Sequence, residues 1–192
     1  MTTCVVALGK IGLPLAVQIA SKGEHVIGAD ISSEVVDLVN KGQEPFPGET
    51  DLAVRLRQVI DEGKLEATTE TADAVRASEN VVVVVPLIVD DQARPDFSAI
   101  DAATTDVANG LRTGSLVSYE TTLPIGTTRE RFKPALEAVS GLVCGEDFFL
   151  CHSPERVFSG RIFSDLRRYP KLVGGVDELS SEKATSWLPH WS

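Results

Sequence analysis

The chain has 192 residues, a formal net charge of −10 and 6% aromatic residues. That length allows one ordinary domain, or one and part of another, with enough chain to bury a sizeable core. An acidic chain of pI about 4.8 argues against a nucleic-acid footprint and against a polybasic membrane anchor.

The apolar run from Val81 to Val89 is too short to span a bilayer. The N-terminal stretch MTTCVVALGK has no basic segment ahead of its apolar run, so no secretory signal is expected. The cysteines Cys4, Cys144 and Cys151 are too sparse for a disulfide framework. Reduced thiols and a cytoplasmic location are therefore expected.

In chain order, Cys4 to Leu8 reads as a β-branched strand, followed by Gly9 and Gly12. Leu13 to Ser21 has helical spacing, and Gly23 ends it. His25 to Ala29 is a second strand ending at Asp30. Ser32 and Ser33 are good N-caps for a helix to about Asn40. Lys41 to Thr50 carries Gly and Pro and reads as a loop. A helix is expected over Asp51 to Ile60, a short strand over Ala67 to Thr71 and a short helix over Thr71 to Ala77.

Val81 to Val85 is five valines in a row, the pattern of a strand buried on both faces of a parallel sheet. Ser98 to Leu111 reads as helix and Ser115 to Tyr119 as strand. Thr121 to Thr128 reads as a loop opening a helix to about Val139. Phe148 to Cys151 and Lys171 to Val173 are shorter expected strands. Strands alternating with helices predict an α/β fold with a doubly wound, mostly parallel sheet. Its carboxyl rim would collect Gly9, Asp30, Pro86, Glu120 and Ser153.

Four segments carry chemistry. Ala7-Leu8-Gly9-Lys10-Ile11-Gly12 follows a strand and opens a helix, the context of a dinucleotide fingerprint. Gly9 would let backbone approach a pyrophosphate at the helix N-terminus, and Gly12 would allow close helix packing. Ala7 replaces the first glycine of the fingerprint, and it fits the turn if its φ stays negative. Asp30, about 20 residues on, suits a ribose diol and repels a 2′-phosphate, favouring NAD over NADP. Glu120 to Thr128 reads equally as a capped loop or as hydroxyls beside a cofactor. Ser153 to Arg161 offers an acid–base group in Glu155 and anion forks in Arg156 and Arg161. By itself this last segment also reads as a solvated, salt-bridged loop.

Together these segments resemble the UDP-glucose/GDP-mannose dehydrogenase family. The matching pieces are VVALGKIGLPLA, the strand end at Asp30, VVVVVP, Pro95-Asp96, ETTLPIGTT, SPERVFSGR and PKLVGG. They occur in family order over about residues 4 to 176. The SPER…GR form resembles the branch acting on UDP-N-acetylhexosamines such as UDP-N-acetylmannosamine.

The resemblance implies two successive oxidations at C6 of a UDP-sugar, alcohol to aldehyde to acid, reducing two NAD. It implies a Rossmann-like NAD-binding domain over residues 1–178, with 179–192 as an atypical tail or the start of a helix. It puts Gly9, Lys10, Ile11 and Gly12 at the pyrophosphate, Asp30 on the adenosine ribose, and Leu87 in a turn beside the cofactor. Thr122 falls at the nicotinamide end. Glu155, Arg156 and Val157 fall in the sugar-nucleotide pocket, and Thr122 and Glu155 are the expected catalytic residues. No metal is expected, no nucleic-acid partner, and a homodimer for the full-length form.

Three positions depart from the family pattern: Ala7, Val35 where the family has Lys or Arg, and Leu87 where it has a cofactor-contacting Thr. The family's nucleophilic Cys and catalytic Lys lie in a later central domain, followed by a UDP-sugar-binding domain. The chain stops before both, so it is expected to be inactive alone. Cys144 and Cys151 are expected to be buried and inert. The competing readings are a stand-alone NAD-binding module without chemistry and a decayed gene fragment.

Overall fold

Side chains alternate across a strand, and in β1 (Thr2–Val6) both faces are apolar. Val5 joins one core while Cys4 and Val6 join the other. The valines of β4 (Asn80–Val83) divide the same way, Val82 against Val81 and Val83. Two such strands can only be central, and they pair with each other in parallel register, Val5 opposite Val82.

The computed structural model describes residues 1–188. From β1 the chain runs through α1 (Gly12–Ser21), β2 (His25–Ala29), α2 (Ser33–Asn40), α3 (Leu52–Asp61) and β3 (Leu65–Thr68). After α4 (Thr71–Arg76) and β4 comes a small hairpin, β5 (Ile88–Val89) with β6 (Pro95–Asp96). Then follow α5 (Ser98–Gly110), β7 (Leu116–Tyr119), a π-helical turn (Thr128–Phe132) leading into α6 (Lys133–Ser140), and β8 (Phe149–His152). The last elements are α7 (Ile162–Arg168), β9 (Gly174–Gly175) and α8 (Glu178–Trp187).

Among the described residues the main sheet has the order β3-β2-β1-β4-β7-β8-β9. Its pairs are parallel except β8–β9, which is antiparallel. The expected doubly wound α/β fold is therefore present. α1 and α3 cover one face; α4, α5 and α6 cover the other. No helix among the described residues is long and apolar enough to cross a membrane.

Local chemistry explains most boundaries. Ser32 caps α2 by accepting from the Val35 N–H at 3.3 Å. Asp177 caps α8 by accepting from the Ser180 N–H at 2.7 Å. The side-chain amide of Asn40 pairs with both backbone groups of Ala67, at 2.9 and 2.8 Å, and so covers part of the sheet's β3 edge.

Several expected strands shift: β1 runs Thr2–Val6 rather than Cys4 to Leu8, and β4 ends at Val83 rather than Val85. β3 begins at Leu65 rather than Ala67, because its register against β2 sets Leu65 opposite Val26. Lys171 to Val173 is not a strand. The ladder to β8 forms only at Gly174 and Gly175, where a Cβ on Gly175 would lie 2.3 Å from the Ser181 nitrogen of α8.

The boundary expected between 178 and 179 falls in the first turn of α8. Ala184, Trp187 and Leu188 belong to the same core as α1. The Trp187 indole N–H donates to Glu24 Oε1 at 2.9 Å, and Glu24 Oε2 accepts from the Thr3 hydroxyl at 2.6 Å. Trp191 and the rest of the expected tail beyond residue 188 lie outside the described residues.

The condition that Ala7 keep a negative φ is not met. Ala7 has φ 77°, a left-handed conformation. The turn requires it: the Ala7 N–H donates to Ala29 O at 2.8 Å, and its carbonyl lies directly under Gly12. A Cβ in this conformation costs about 1 kcal/mol or slightly more. Ala7→Gly is thus expected to stabilise the chain by a few tenths of a kcal/mol, about 0.5 kcal/mol at most, after the glycine's extra unfolded-state entropy. Urea denaturation of the two proteins measures this, and an unchanged or lower midpoint contradicts it.

Candidate functional site

The carboxyl ends of β2, β1, β4, β7 and β8 place Asp30, Gly9, Pro86, Glu120 and Ser153 along one rim in sheet order. Strand order reverses between β1 and β4, which is where a crevice opens in such sheets.

At the β1 side of the rim, α1 approaches the sheet very closely. A Cβ on Gly12 would lie 1.9 Å from Ala7 O, whereas a Cβ on Gly9 would meet nothing within 4 Å. Gly12 is therefore fixed by packing, and Gly9 faces open space. Lys10 is exposed, and Ile11 packs on the core. The Asp30 carboxylate spans the start of the site: Oδ2 accepts from the Leu8 N–H at 2.8 Å and Oδ1 from the Ser32 N–H at 2.9 Å.

Two cavities meet at Phe46. One of about 140 Å³ is lined by Gly9, Lys10, Leu13, Phe46 and Gly160. The other, of about 380 Å³, is lined by Asp30, Val35, Leu38, Pro45 and Phe46. The loop between α2 and α3 thus roofs this half of the rim. It is tied down by Glu49, whose carboxylate accepts from the N–H groups of Gly160 at 2.6 Å and Ile162 at 2.7 Å. The Thr50 hydroxyl adds a bond to Gly160 O at 2.9 Å.

Beyond the switch point lies a groove of about 690 Å³. It runs between the loop Leu123–Glu130 and the segment Leu172–Val176, with His152 and Pro154 also lining it. Thr122 is exposed beside it, and the Thr121 hydroxyl donates to Val85 O at 2.6 Å. His152 Nε2 pairs with Thr121 O at 3.0 Å. The buried Ser153 hydroxyl donates to Leu172 O at 2.7 Å.

Next to this groove three charged side chains leave water together. Lys171 Nζ lies 2.5 Å from Glu120 Oε2 and also contacts the Glu155 carboxylate. Their side chains are 8%, 0% and 8% exposed for Lys171, Glu120 and Glu155. Burial pushes the Glu120 carboxyl above its ordinary value, with the Lys171 charge and bond and the Ser118 hydroxyl pulling the other way. The cysteines are all buried. Burial pushes the Cys4 and Cys151 thiols up to about 12 and the Cys144 thiol up to about 11. They are protonated at neutral pH and poor nucleophiles.

The structure gathers Gly9, Lys10, Gly12 and Asp30 on one half of the rim and Thr122, Glu155, Arg156 and Val157 towards the other. It does not join all of them into one surface. Leu87 packs on the core and lines none of these cavities. Glu155 does not line the large groove; it lies on a neighbouring cavity of about 20 Å³ together with Arg156, Val157 and Lys171. Val157 packs on the core, and Arg156 donates to Pro170 O. Two members of the site gain their partners only in the fold: Lys171, the lysine of the motif PKLVGG, and Glu49, whose partners lie more than a hundred residues away.

Comparison with known proteins agrees with this fold. Residues 1–190 match the NAD-binding domain of the UDP-glucose/GDP-mannose dehydrogenase family. A UDP-N-acetyl-D-mannosamine dehydrogenase of Pyrococcus horikoshii is 40% identical over 185 residues, covering 96% of this chain and 43% of the relative. An NDP-N-acetyl-D-galactosaminuronic acid dehydrogenase of Ralstonia nicotianae is 35% identical, covering 95% of this chain and 44% of the relative. A solved structure of the UDP-D-ManNAc dehydrogenase from Pyrococcus horikoshii superposes with a TM-score of 0.93 at 37% identity, covering all of this chain and 45% of that one. The chain spans less than half the length of these relatives.

The raised Glu120 carboxyl has a consequence for stability. A carboxyl with a folded value above its unfolded value of 4.5 stabilises the fold fully below pH 4.5, and that stabilisation is lost as pH rises through the folded value. Glu120→Gln removes this loss. The urea midpoint of the wild-type chain is expected to fall more between pH 4.5 and neutrality than that of Glu120→Gln. Parallel pH profiles for the two proteins contradict this.

Proposed function

The chain belongs to the UDP-glucose/GDP-mannose dehydrogenase family as its NAD-binding domain, and on that premise we propose that the whole protein oxidises C6 of a UDP-N-acetylhexosamine. The substrate we favour is UDP-N-acetylmannosamine, taken to its uronate with two NAD. The observation that carries this reading is the shared rim: the α1 turn, Asp30 and the Thr122 and Glu155 segments all stand at carboxyl ends of one sheet. The names of the relatives support the acetylhexosamine.

The residues present fit a dinucleotide. Gly9 leaves space where any Cβ would intrude on a ligand, and Gly12 allows α1 to begin against the β1 turn. Each Asp30 oxygen accepts one backbone N–H and keeps a further lone pair for a ribose hydroxyl. Its charge repels a 2′-phosphate. We assign the pyrophosphate to the backbone of Gly9, Lys10, Ile11 and Gly12, and the ribose to Asp30. The cavity bounded by Val35, Leu38, Pro45 and Phe46 accepts an apolar ring beside that ribose.

When bound, NAD supplies the hydride acceptor for oxidation at C6. On the protein side, Thr122 offers an exposed hydroxyl at the groove, and Glu155 is the acid–base group that takes the alcohol proton. Arg156 and Val157 border the sugar nucleotide. We assign the cofactor role to residues 1–178; of residues 179–188, Ala184, Trp187 and Leu188 close the core behind it. The described residues contain no ionised thiol, so the 192 residues alone are expected to bind without turnover. We infer a homodimer for the whole protein.

Calorimetric titration of the chain tests the cofactor assignment. NAD is expected to bind in the micromolar to sub-millimolar range, and NADP not to bind. Asp30→Asn is expected to move the NAD-to-NADP preference by about tenfold towards NADP. Equal affinity of the wild type for both cofactors overturns the role of Asp30. NADH formed from UDP-N-acetylmannosamine by the chain alone overturns the expectation of binding without turnover.

A further inference from the structure

We propose that Lys171 is a positioning residue, anchored by Glu120, that fixes the Glu155 carboxylate in its ionised form at the carboxyl rim. The proposal rests on the reading of Glu155 as the acid–base group and names what holds it ready.

The three side chains come from three neighbouring places in the sheet. Glu120 directly follows β7, Glu155 follows β8, and Lys171 precedes β9. Lys171 bridges the two carboxylates, and the Glu155 N–H donates to Glu120 O at 3.0 Å. Glu120 and Glu155 are thus tied twice, once through the backbone and once through the ammonium. Glu120 Oε1 also accepts from the Ser118 hydroxyl at 3.2 Å. A single rotamer of Lys171 serves both carboxylates, so its direction is set by the pair.

The charges do not balance. Two carboxylates against one ammonium leave a net negative charge out of water, which a folded protein avoids at substantial cost. A proton on one carboxylate relieves it. Glu120 is the deeper of the two, and burial raises its proton affinity despite the opposing lysine. With the proton on Glu120, the full charge of Lys171 falls to Glu155. The pair then divides into a proton holder and a proton acceptor, as two carboxyls in unlike surroundings do in acid–base sites.

The other groups facing the cluster are these. From β8, Cys151 is buried and protonated, and His152 is turned to Thr121 O; its influence on Glu120 opposes the proton there but is smaller than that of burial. On the far side of the small cavity, Asp165 is already engaged by the Phe158 N–H and the Arg161 guanidinium. Arg156 is exposed and donates to Pro170 O. Of these, only Lys171 makes an ion pair with Glu155. The cavity beside Glu155, about 20 Å³, has room for one water.

A purely structural salt bridge would hold the loops together without governing the proton on Glu155. Carbon-detected NMR titration of the side-chain carboxyls in the 192-residue chain separates the two. In Lys171→Met, the Glu155 midpoint is expected to rise by about one pH unit or more, and Lys171→Arg is expected to return it towards the wild-type position. In Glu120→Gln, where a neutral amide replaces the protonated carboxyl, the midpoint is expected to stay near the wild-type position, and a fall of about one pH unit overturns the placing of the proton on Glu120. An unchanged Glu155 midpoint in folded Lys171→Met overturns the proposal. If Lys171→Met does not fold, Lys171→Gln is titrated in its place, and an unchanged Glu155 midpoint there overturns the proposal equally. No cofactor or turnover enters this measurement. Failure to bind NAD would sink the dehydrogenase reading and leave the lysine's role standing.

Discussion

The site depends on one close approach: Ala7 O lies 1.9 Å from where a Cβ on Gly12 would be. That contact draws the start of α1 against the end of β1. It forces Ala7 into a left-handed turn that most residues avoid. It also brings the Leu8 N–H to Asp30, so the end of β2 is fixed to the end of β1 by a carboxylate. From there the parallel register carries the order outward, and each strand delivers its following loop to the same edge. The sheet's central strands β1 and β4 are mostly apolar. Their valines fill both faces, which leaves the loops as the place where chemistry can stand.

Much of this is legible in the sequence because its signals are local. Five consecutive valines specify a strand covered on two sides. Ser32 announces the helix it caps, and Asp30 announces itself by its distance from the glycines. What escapes is decided by partners far along the chain. The conformation of Ala7 is set by Ala29 O and by α1, and alanine carries no sign of it. The stretch Lys171–Val173 has a strand's composition. Its backbone is taken up instead by Ser153, whose hydroxyl reaches Leu172 O, while Lys171 is drawn between two acids. An apolar run with one lysine reads as a strand edge; only the fold shows that the lysine is the point of it.

The same distinction separates the two halves of the candidate site. The cofactor half was written as a spacing of glycines and an aspartate. The other half assembles from Glu120, Glu155 and Lys171, residues that meet only after β7, β8 and β9 are in place. Motif ETTLPIGTT and motif SPERVFSGR each look like an ordinary polar loop. Their first and third residues respectively, Glu120 and Glu155, acquire meaning from a third segment that neither contains.

Glu49 shows what such distance means for the order of folding. Its two bonds close segments separated by 111 and 113 residues. Little of the intervening chain helps to pre-form that closure, and contacts of such sequence separation are entropically late. The roof over the cofactor half therefore belongs to the last stage of assembly, after the sheet and α7 exist. The Glu49 carboxylate thus joins the loop after α2 to the start of α7 by hydrogen bonds. The wall of the cofactor half is therefore made of two chain segments far apart in sequence, and a change at Glu49 alone would reach both.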